Sequence, residues 1–155
     1  MPASLRHLAA SLLLAATLPS ANATDVEHLN GSGSLPPDLP FSEAGRVGNL
    51  YFLSGQLGIK PGTMDLAEGG IEAEARQTME NIAAVLKANG LSMSDVVKCT
   101  VMLADMSEWG TFNEVYRSFF TPPYPARSAF GANGLGLGAR AEVECIAADS
   151  GAAAP

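Results

Sequence analysis

The chain has 155 residues, with 16 acidic and nine basic side chains, and its formal net charge is −7. An acidic chain without a basic cluster is poorly matched to a nucleic-acid backbone or an anionic membrane surface, so we expect small molecules or other copies of the chain as partners. Both histidines, His7 and His28, lie near the N-terminus, and a histidine-based catalytic or metal site is therefore not expected.

Residues 1–23 have the organisation of a secretory signal peptide. Arg6 and His7 precede an apolar run from Leu8 to Leu18, and Ala21-Asn22-Ala23 supplies a small-x-small cleavage site. The apolar run is shorter than the roughly 20 residues that a membrane-spanning helix needs. We expect cleavage after Ala23 and a periplasmic or secreted mature protein. The alternative is an uncleaved amphipathic N-terminal helix.

The rest of the chain is predicted to form one domain with short flanking segments. Residues 24–40 mix Gly, Ser and Pro with little periodicity, which predicts a flexible lead-in. The domain is expected to cover residues 41–149. The small residues of the tail, 150–155, predict a frayed C-terminus.

The first half of the domain alternates between a strand pattern and a helix pattern. Residues 50–58 (LYFLSGQLG) are apolar and aromatic and lie between turn residues, which predicts a buried strand. From Ile71 onward, apolar residues recur at helical spacing, which predicts a helix that ends at Gly90. The stripe consists of Ile71, Ala75, Met79, Ile82 and Leu86.

The second half repeats this alternation. Residues 96–105 are rich in β-branched side chains and predict a strand. A second helix follows, with Thr111 and Glu114 at capping-box spacing, Ser107 as a competing start, and Thr121-Pro122-Pro123 as its end. Strands are predicted near 126–132 and over 139–149, joined by the glycine-rich segment 131–138.

This order of elements predicts a two-layer α/β domain, with a mixed sheet and two helices on one face. Such a sheet leaves its other face without cover. Self-association is the simplest way to cover it, so we expect a homo-oligomer.

The two cysteines, Cys99 and Cys145, each lie within an apolar strand-like run. An exported protein can oxidise such residues, but the pairing of cysteines cannot be read from sequence. No histidine or further cysteine is spaced to complete a zinc site. We favour the interpretation that both are small buried hydrophobic residues.

Arg127 and Glu142 are the candidate functional side chains. Arg127 opens a strand between the small residues Ala126 and Ser128, and its guanidinium can bind a carboxylate through two hydrogen bonds. The alternative is a strand-end arginine paired with an acid. Glu142 and Glu144 alternate with Val143, so both carboxylates share one strand face, where a glutamate can hold a water molecule. A solvated acidic face is the alternative.

Ser54-Gly55 and the glycine-rich segment 131–138 give weaker signals. Ser54 has no histidine to activate it as a nucleophile, but its hydroxyl can bind a ligand oxygen. The glycine-rich segment lacks the phosphate-loop pattern and joins two predicted strands, which indicates a hairpin connection.

Several motifs together resemble the Rid/YjgF family of enamine/imine deaminases. They are SGQ (54–56), ARQTMENIAAVLKANGLSMSDVVKCTVML (75–103), FNEVYRSFF (112–120), YPARS (124–128) and AEVECIA (141–147). The resemblance implies a chorismate-mutase-like fold, assembled as a homotrimeric barrel with clefts between neighbouring subunits. It also implies that neither a cofactor nor a metal is needed.

The resemblance further implies roles for individual residues. Arg127 would clamp the carboxylate of a 2-imino or 2-amino-enoic acid, and Glu142 would position the attacking water. The remaining cleft positions would be Phe41, Ser54, Gly55, Asn113 and Ala129. Phe41 stands where many members have a tyrosine, and Ala129 where a cysteine is frequent.

The expected activity is hydrolysis of reactive imines such as 2-aminoacrylate and 2-iminopropionate to a 2-keto acid and ammonia, a form of metabolite damage control. Two alternatives remain open from the sequence. One is a trimer that binds a small carboxylate without turnover, and the other is a chaperone-like interaction protein.

Overall fold

A seven-stranded sheet and two helices form the computed structural model, which describes residues 25–36 and 38–151. The predicted signal peptide lies outside these residues. The helices are α1 (Gly70–Ala88) and α2 (Trp109–Ser118). The strands are β1 (Val26–Leu29), β2 (Ala44–Val47), β3 (Leu50–Leu53), β4 (Gln56–Leu57), β5 (Val96–Leu103), β6 (Ala126–Gly131) and β7 (Ala141–Ala148).

The sheet is mixed, as the sequence predicts. Its strands run in the order β1-β2-β3-β7-β5-β6, and β4 also pairs with β7. β5 and β6 are parallel and all other pairs are antiparallel. Parallel neighbours need a crossover connection, and α2 lies within the connection between β5 and β6. β6 is the last strand in this order and is therefore an edge strand.

Helix α1 confirms the predicted apolar stripe. All five stripe residues are buried, and the side chains of Met79 and Ile82 have no exposed surface. Glu72 in the first turn and Lys87 in the last turn have the signs that the helix dipole favours. The chain leaves the helix through Gly90, whose φ of 75° suits glycine.

Helix α2 begins differently from the prediction. Thr111 lies inside the helix, so the proposed capping box at Thr111 and Glu114 is wrong. The chain enters α2 through a short 3-10 turn (Met106–Glu108), and the Asp105 carboxylate accepts a hydrogen bond from the Ser107 backbone amide at 2.8 Å. That hydrogen bond lowers the pKa of Asp105. Asp105 therefore caps the 3-10 turn that leads into α2, two residues before the competing start at Ser107.

The predicted strand over 50–58 is divided in two. β3 ends at Leu53 and β4 begins at Gln56, so Ser54 and Gly55 lie between the two strands. Gly58, directly after β4, faces the backbone of Glu74 on α1, and a Cβ at residue 58 would lie 2.7 Å from the Glu74 carbonyl oxygen. Glycine at this position allows α1 to approach the sheet closely.

The N-terminal segment is ordered in the part that the structure describes, so the prediction of a flexible lead-in over 24–40 is wrong there. β1 pairs with β2 from Val26 to Leu29. Beyond β1, the buried Glu43 carboxylate accepts hydrogen bonds from the Ser32 backbone amide (2.9 Å) and from its hydroxyl (2.5 Å). Because these bonds satisfy a buried charge, they hold the segment against the sheet.

Cys99 and Cys145 form a disulfide, so their interpretation as unpaired buried residues is wrong. They are directly opposite each other on β5 and β7, with their Cα atoms 4.1 Å apart. The residues are separated by 46 positions, and their proximity depends on strand register rather than on any local pattern. The bond joins two neighbouring central strands on the buried face of the sheet.

The two faces of the sheet differ in their cover. The helices pack on the face that carries Val101 and Val143, both without exposed surface. The opposite face exposes 44% of Phe52 and 49% of Phe130. No described helix is long and apolar enough to cross a membrane. The observed fold matches the predicted two-layer α/β architecture, and cover by further copies of the chain stays a prediction.

Reduction of the Cys99–Cys145 bond is expected to lower the free energy of unfolding by about 4 kcal/mol, because the bond restricts a long loop in the unfolded chain. Urea unfolding of the oxidised and the fully reduced protein measures this difference, with a thiol assay to verify each redox state. Coincident unfolding curves would contradict a stabilising role.

Candidate functional site

The structure places the two principal candidates, Arg127 and Glu142, on opposite faces of the sheet. Arg127 is the register partner of Cys99, and Cys99 is the partner of Cys145, so these three side chains share one face. Glu142 lies three positions from Cys145 on the regular strand β7, so its side chain points to the other face. The predicted site residues therefore form two separate groups within one protomer.

The first group surrounds Arg127 on the helix side. The Arg127 guanidinium carbon lies 5.1 Å from the ring centroid of Trp109 and 4.7 Å from that of Tyr116. A cavity of about 340 Å³ opens beside it, lined by Asn113, Tyr116, Arg117, Tyr124, Pro125 and Arg127. The ion pairs found in the described ranges do not include Arg127. Its interpretation as a strand-end arginine paired with an acid is therefore wrong.

Two uncharged polar atoms in this cavity wall also lack partners. Asn113 Oδ1 and the Tyr116 hydroxyl are both buried without a protein hydrogen bond. Burial raises the pKa of Tyr116, with an opposing effect from the Arg127 charge. Unsatisfied buried polar atoms destabilise a fold by about 1–3 kcal/mol each. Their concentration beside one unpaired cation is typical of a binding site rather than of a core.

The second group surrounds Glu142 on the open face. Gly55 lies directly against the Glu142 side chain, and a Cβ at residue 55 would overlap the carboxylate oxygen Oε1. Two hydrogen bonds hold the neighbouring Ser54 in place. Its hydroxyl donates to the Ser42 carbonyl (2.7 Å), and its backbone amide donates to the Glu43 carbonyl (3.0 Å). The absence of a side chain at Gly55 thus leaves the space that the carboxylate occupies.

The Glu142 carboxyl is electrostatically suited to accept a proton. Burial raises its pKa above the ordinary value of 4.5, and the neighbouring Glu144 carboxylate raises it further. A carboxylate with a raised pKa is a stronger base than an exposed one. The raised pKa makes Glu142 a stronger base than an exposed glutamate, and its role in positioning water stays a prediction.

Phe41 and Ala129 lie at the periphery of the two groups. Phe41 is half exposed and lines a separate cavity of about 470 Å³, together with Asn30, Leu35 and Leu39. Ala129 follows Arg127 by two positions on β6 and packs against the core on the same face. The Phe41 cavity is bounded by the N-terminal segment, which the sequence did not predict to be ordered.

Sequence reasoning missed Trp109 and Tyr116 as site residues. Both belong to the aromatic face of α2, and a stripe of aromatic residues at helical spacing more often indicates a core than a binding site. Their contact with Arg127 depends on the position of α2 over the edge strand β6. Within the described ranges, no group of three or more His, Cys, Asp or Glu side chains is arranged to hold a metal ion.

Comparisons with known proteins by family model, by sequence and by fold each find matches over most of this chain. The family model described as endoribonuclease L-PSP matches residues 32–149. A mouse protein named 2-iminobutanoate/2-iminopropanoate deaminase is 43% identical over 108 residues, which cover 70% of this chain and 80% of the mouse protein.

Two solved structures are similar over most of the chain. The crystal structure of RidA from a Psychrobacter species has a TM-score of 0.75 and 39% identity, and the match covers 79% of this chain and 99% of RidA. Escherichia coli TdcF, crystallised with bound serine, has a TM-score of 0.74 and 31% identity. That match covers 80% of this chain and 99% of TdcF.

The raised pKa of Glu142 is expected to lower the free energy of unfolding as the pH increases from 4 to 7, and Glu142→Gln should remove this contribution. A glutamate whose pKa is raised in the folded state favours folding when it is protonated, and this contribution is lost as the pH rises through the raised pKa. Glutamine stays neutral, so the variant does not lose it. Urea unfolding at both pH values measures the change.

The control is Glu80→Gln, at an exposed position of α1. It should leave the pH dependence as in the wild type. An identical pH dependence in the wild type and Glu142→Gln would contradict a raised pKa at Glu142.

Proposed function

Because the chain belongs to the Rid/YjgF family, with a family match over residues 32–149, we propose that it hydrolyses 2-enamine and 2-imine acids to a 2-keto acid and ammonia. Support comes from the mouse relative, which is named for the deamination of 2-iminobutanoate and 2-iminopropanoate. The structure supplies the second support, an unpaired cation and a basic carboxylate at positions suited to this chemistry.

The state of Arg127 carries the proposal. Its guanidinium has no acidic partner among the described ion pairs and borders an open cavity. A carboxylate satisfies such a group through two parallel hydrogen bonds. The similar protein TdcF was crystallised with serine, an amino acid with an α-carboxylate. Asn113 Oδ1, unpaired in the same cavity, can accept a hydrogen bond from the nitrogen of the substrate.

The reaction consumes one water molecule. Glu142 accepts a proton as the water oxygen bonds to the C2 carbon of the protonated imine, and the C=N double bond becomes a single bond. The same carboxyl then returns the proton to nitrogen. Ammonia leaves as the C=O bond of the keto acid forms, and the Glu142 carboxylate accepts the proton that the hydroxyl loses. Orientation by Arg127 holds C2 where this water can attack it.

A reaction that uses both residues requires more than one copy of the chain, since Arg127 and Glu142 face opposite sides of the sheet. A head-to-tail interface brings different surfaces of two protomers together, and three such interfaces close a ring. We therefore propose a homotrimer in which Arg127 of one protomer meets the Gly55–Glu142 group of its neighbour. The open sheet face, with Phe52 and Phe130 exposed, gives this assembly an apolar surface to bury.

We also propose that the mature protein is periplasmic or secreted, with cleavage after Ala23. Two features support export: the signal-peptide pattern of residues 1–23, and the Cys99–Cys145 disulfide in the described domain. Disulfides persist in oxidising compartments and are rare in the cytosol.

The alternative functions are weaker on physical grounds. A chaperone-like scaffold does not need an unpaired guanidinium in a cavity. A carboxylate-binding protein without turnover needs this guanidinium, but it does not need a basic carboxylate. The basic Glu142 favours turnover over binding alone. RNA cleavage, which the name of the family model suggests, is poorly matched to nine basic and 16 acidic residues.

Arg127→Ala should lower kcat/KM for 2-iminopropionate by about 100-fold or more, because two charge-assisted hydrogen bonds to the substrate are lost. Arg127→Lys should retain partial activity, since lysine keeps the charge but not the bidentate geometry. An amino-acid oxidase generates the imine, and semicarbazide traps whatever the protein does not hydrolyse.

The control is Arg46→Ala, which removes a guanidinium outside both groups and should leave the trapped yield as in the wild type. Full activity of a folded Arg127→Ala protein would contradict the carboxylate clamp.

A further inference from the structure

The aromatic contacts of Arg127 differ from those of the other stacked arginine in the described domain. Arg46 lies 5.4 Å from the Tyr51 ring centroid, and it also pairs with Glu27 (3.6 Å) and donates to the Gly48 carbonyl (2.9 Å). Arg127 contacts two rings, and neither an ion pair nor a hydrogen bond is found for its guanidinium within the described domain. Stacking thus holds Arg127 without occupying its N–H donors.

The two rings beneath Arg127 are themselves fixed. Tyr116 is 5% exposed and packs against Phe112 and Phe120, with ring centroids 6.0 Å and 4.8 Å away. Trp109 is the first residue of α2 and packs partly against the core. Because Trp109 and Tyr116 are seven positions apart, both project from the same side of the helix. Helix α2 therefore presents a rigid aromatic surface to the edge strand β6.

We propose that Trp109 and Tyr116 are positioning residues that hold the Arg127 guanidinium ready for an anionic ligand. An arginine side chain has many rotamers, and ordering it on binding weakens affinity. Stacking on two rings orders it in advance, while the donor edge remains available to a carboxylate. The carboxylate as ligand class rests on the proposed function, but the stacking does not.

The stacking can be tested without a ligand, because Trp109 is the single tryptophan of the chain. Iodide, an anionic quencher, should quench Trp109 fluorescence more strongly in the wild type than in Arg127→Ala, because the adjacent guanidinium attracts the anion. Acrylamide, a neutral quencher, controls for changes in the exposure of Trp109. Arg46→Ala is the matched control and should quench as the wild type does.

The positioning role is tested by calorimetric titration with pyruvate, a stable 2-keto acid. Trp109→Ala and Tyr116→Leu should each weaken pyruvate binding by about three- to tenfold, as expected from the loss of one cation–π contact. Trp109→Phe keeps a ring and should stay within about twofold of the wild type, and Tyr116→Phe should bind pyruvate more tightly than Tyr116→Leu because it also keeps the ring. Tyr116→Phe also removes the unpaired hydroxyl, so it separates the effect of the ring from that of the hydroxyl.

Tyr51→Leu is the matched control, because it removes a buried ring beneath the other stacked arginine. It should lower the melting temperature without changing pyruvate affinity. Trp109→Ala alters a partly exposed helix end, so it provides a folded test protein if Tyr116→Leu does not fold.

Wild-type affinity in a folded Trp109→Ala protein, or equal losses in Tyr116→Phe and Tyr116→Leu, would overturn the positioning role of the rings. Iodide quenching unchanged by Arg127→Ala would also overturn it. A wild-type protein that neither binds pyruvate nor hydrolyses 2-iminopropionate would contradict the proposed function instead. In that case the iodide experiment still tests whether Arg127 stacks on Trp109.

Discussion

The pairing of β5 with β7, joined covalently at Cys99 and Cys145, determines which side chains share a face of the sheet. Because side chains alternate along a strand, a register shift of one residue would move Glu142 to the opposite face. The disulfide excludes such a shift. β6 pairs with the other edge of β5 in a separate parallel register, which places Arg127 opposite Cys99. Both groups of the candidate site therefore depend on the pairing of β5 with its two neighbours.

The separation of Arg127 from Glu142 within the protomer has a chemical consequence. If the two groups lay side by side, they would form an ion pair, and the guanidinium would lower the pKa of the carboxyl. On opposite faces, the guanidinium is free to bind a ligand carboxylate. Burial and Glu144 then dominate the environment of Glu142, and the direction of its pKa shift is upward. In the proposed assembly, the substrate carboxylate neutralises the arginine before the two groups act together.

The sequence predicted what local patterns determine. The apolar stripe of α1 and the β-branched run of β5 identified their elements, and the alternation around Val143 placed Glu142 and Glu144 on one face. The resemblance to a family indicated Arg127 and Glu142 together. What the sequence did not reveal depends on contacts between distant segments: the pairing of β1, the disulfide between Cys99 and Cys145, and the contact of Arg127 with Trp109 and Tyr116.

The start of α2 shows a different limit of prediction from sequence. Ser107 and Thr111 both fit the pattern of a helix cap, but a 3-10 turn precedes the helix, and the capping hydrogen bond is made by Asp105 at the start of that turn. Several polar residues in succession offer equivalent starts, so the local pattern alone does not identify the first helical residue. This choice matters for function, because it places Trp109 at the first position of the helix, beside Arg127.

Subunit mixing tests the central claim, that the reacting groups come from two copies of the chain. Arg127→Ala and Glu142→Gln are co-expressed with different affinity tags, and hetero-oligomers are isolated through both tags in succession. Each mixed trimer then has an intact Arg127–Glu142 pair at one of its interfaces, about a third of the total. We expect the mixed oligomers to regain a comparable fraction of wild-type deaminase activity, whereas each parent stays inactive. Mixed oligomers as inactive as their parents would contradict a site shared between protomers.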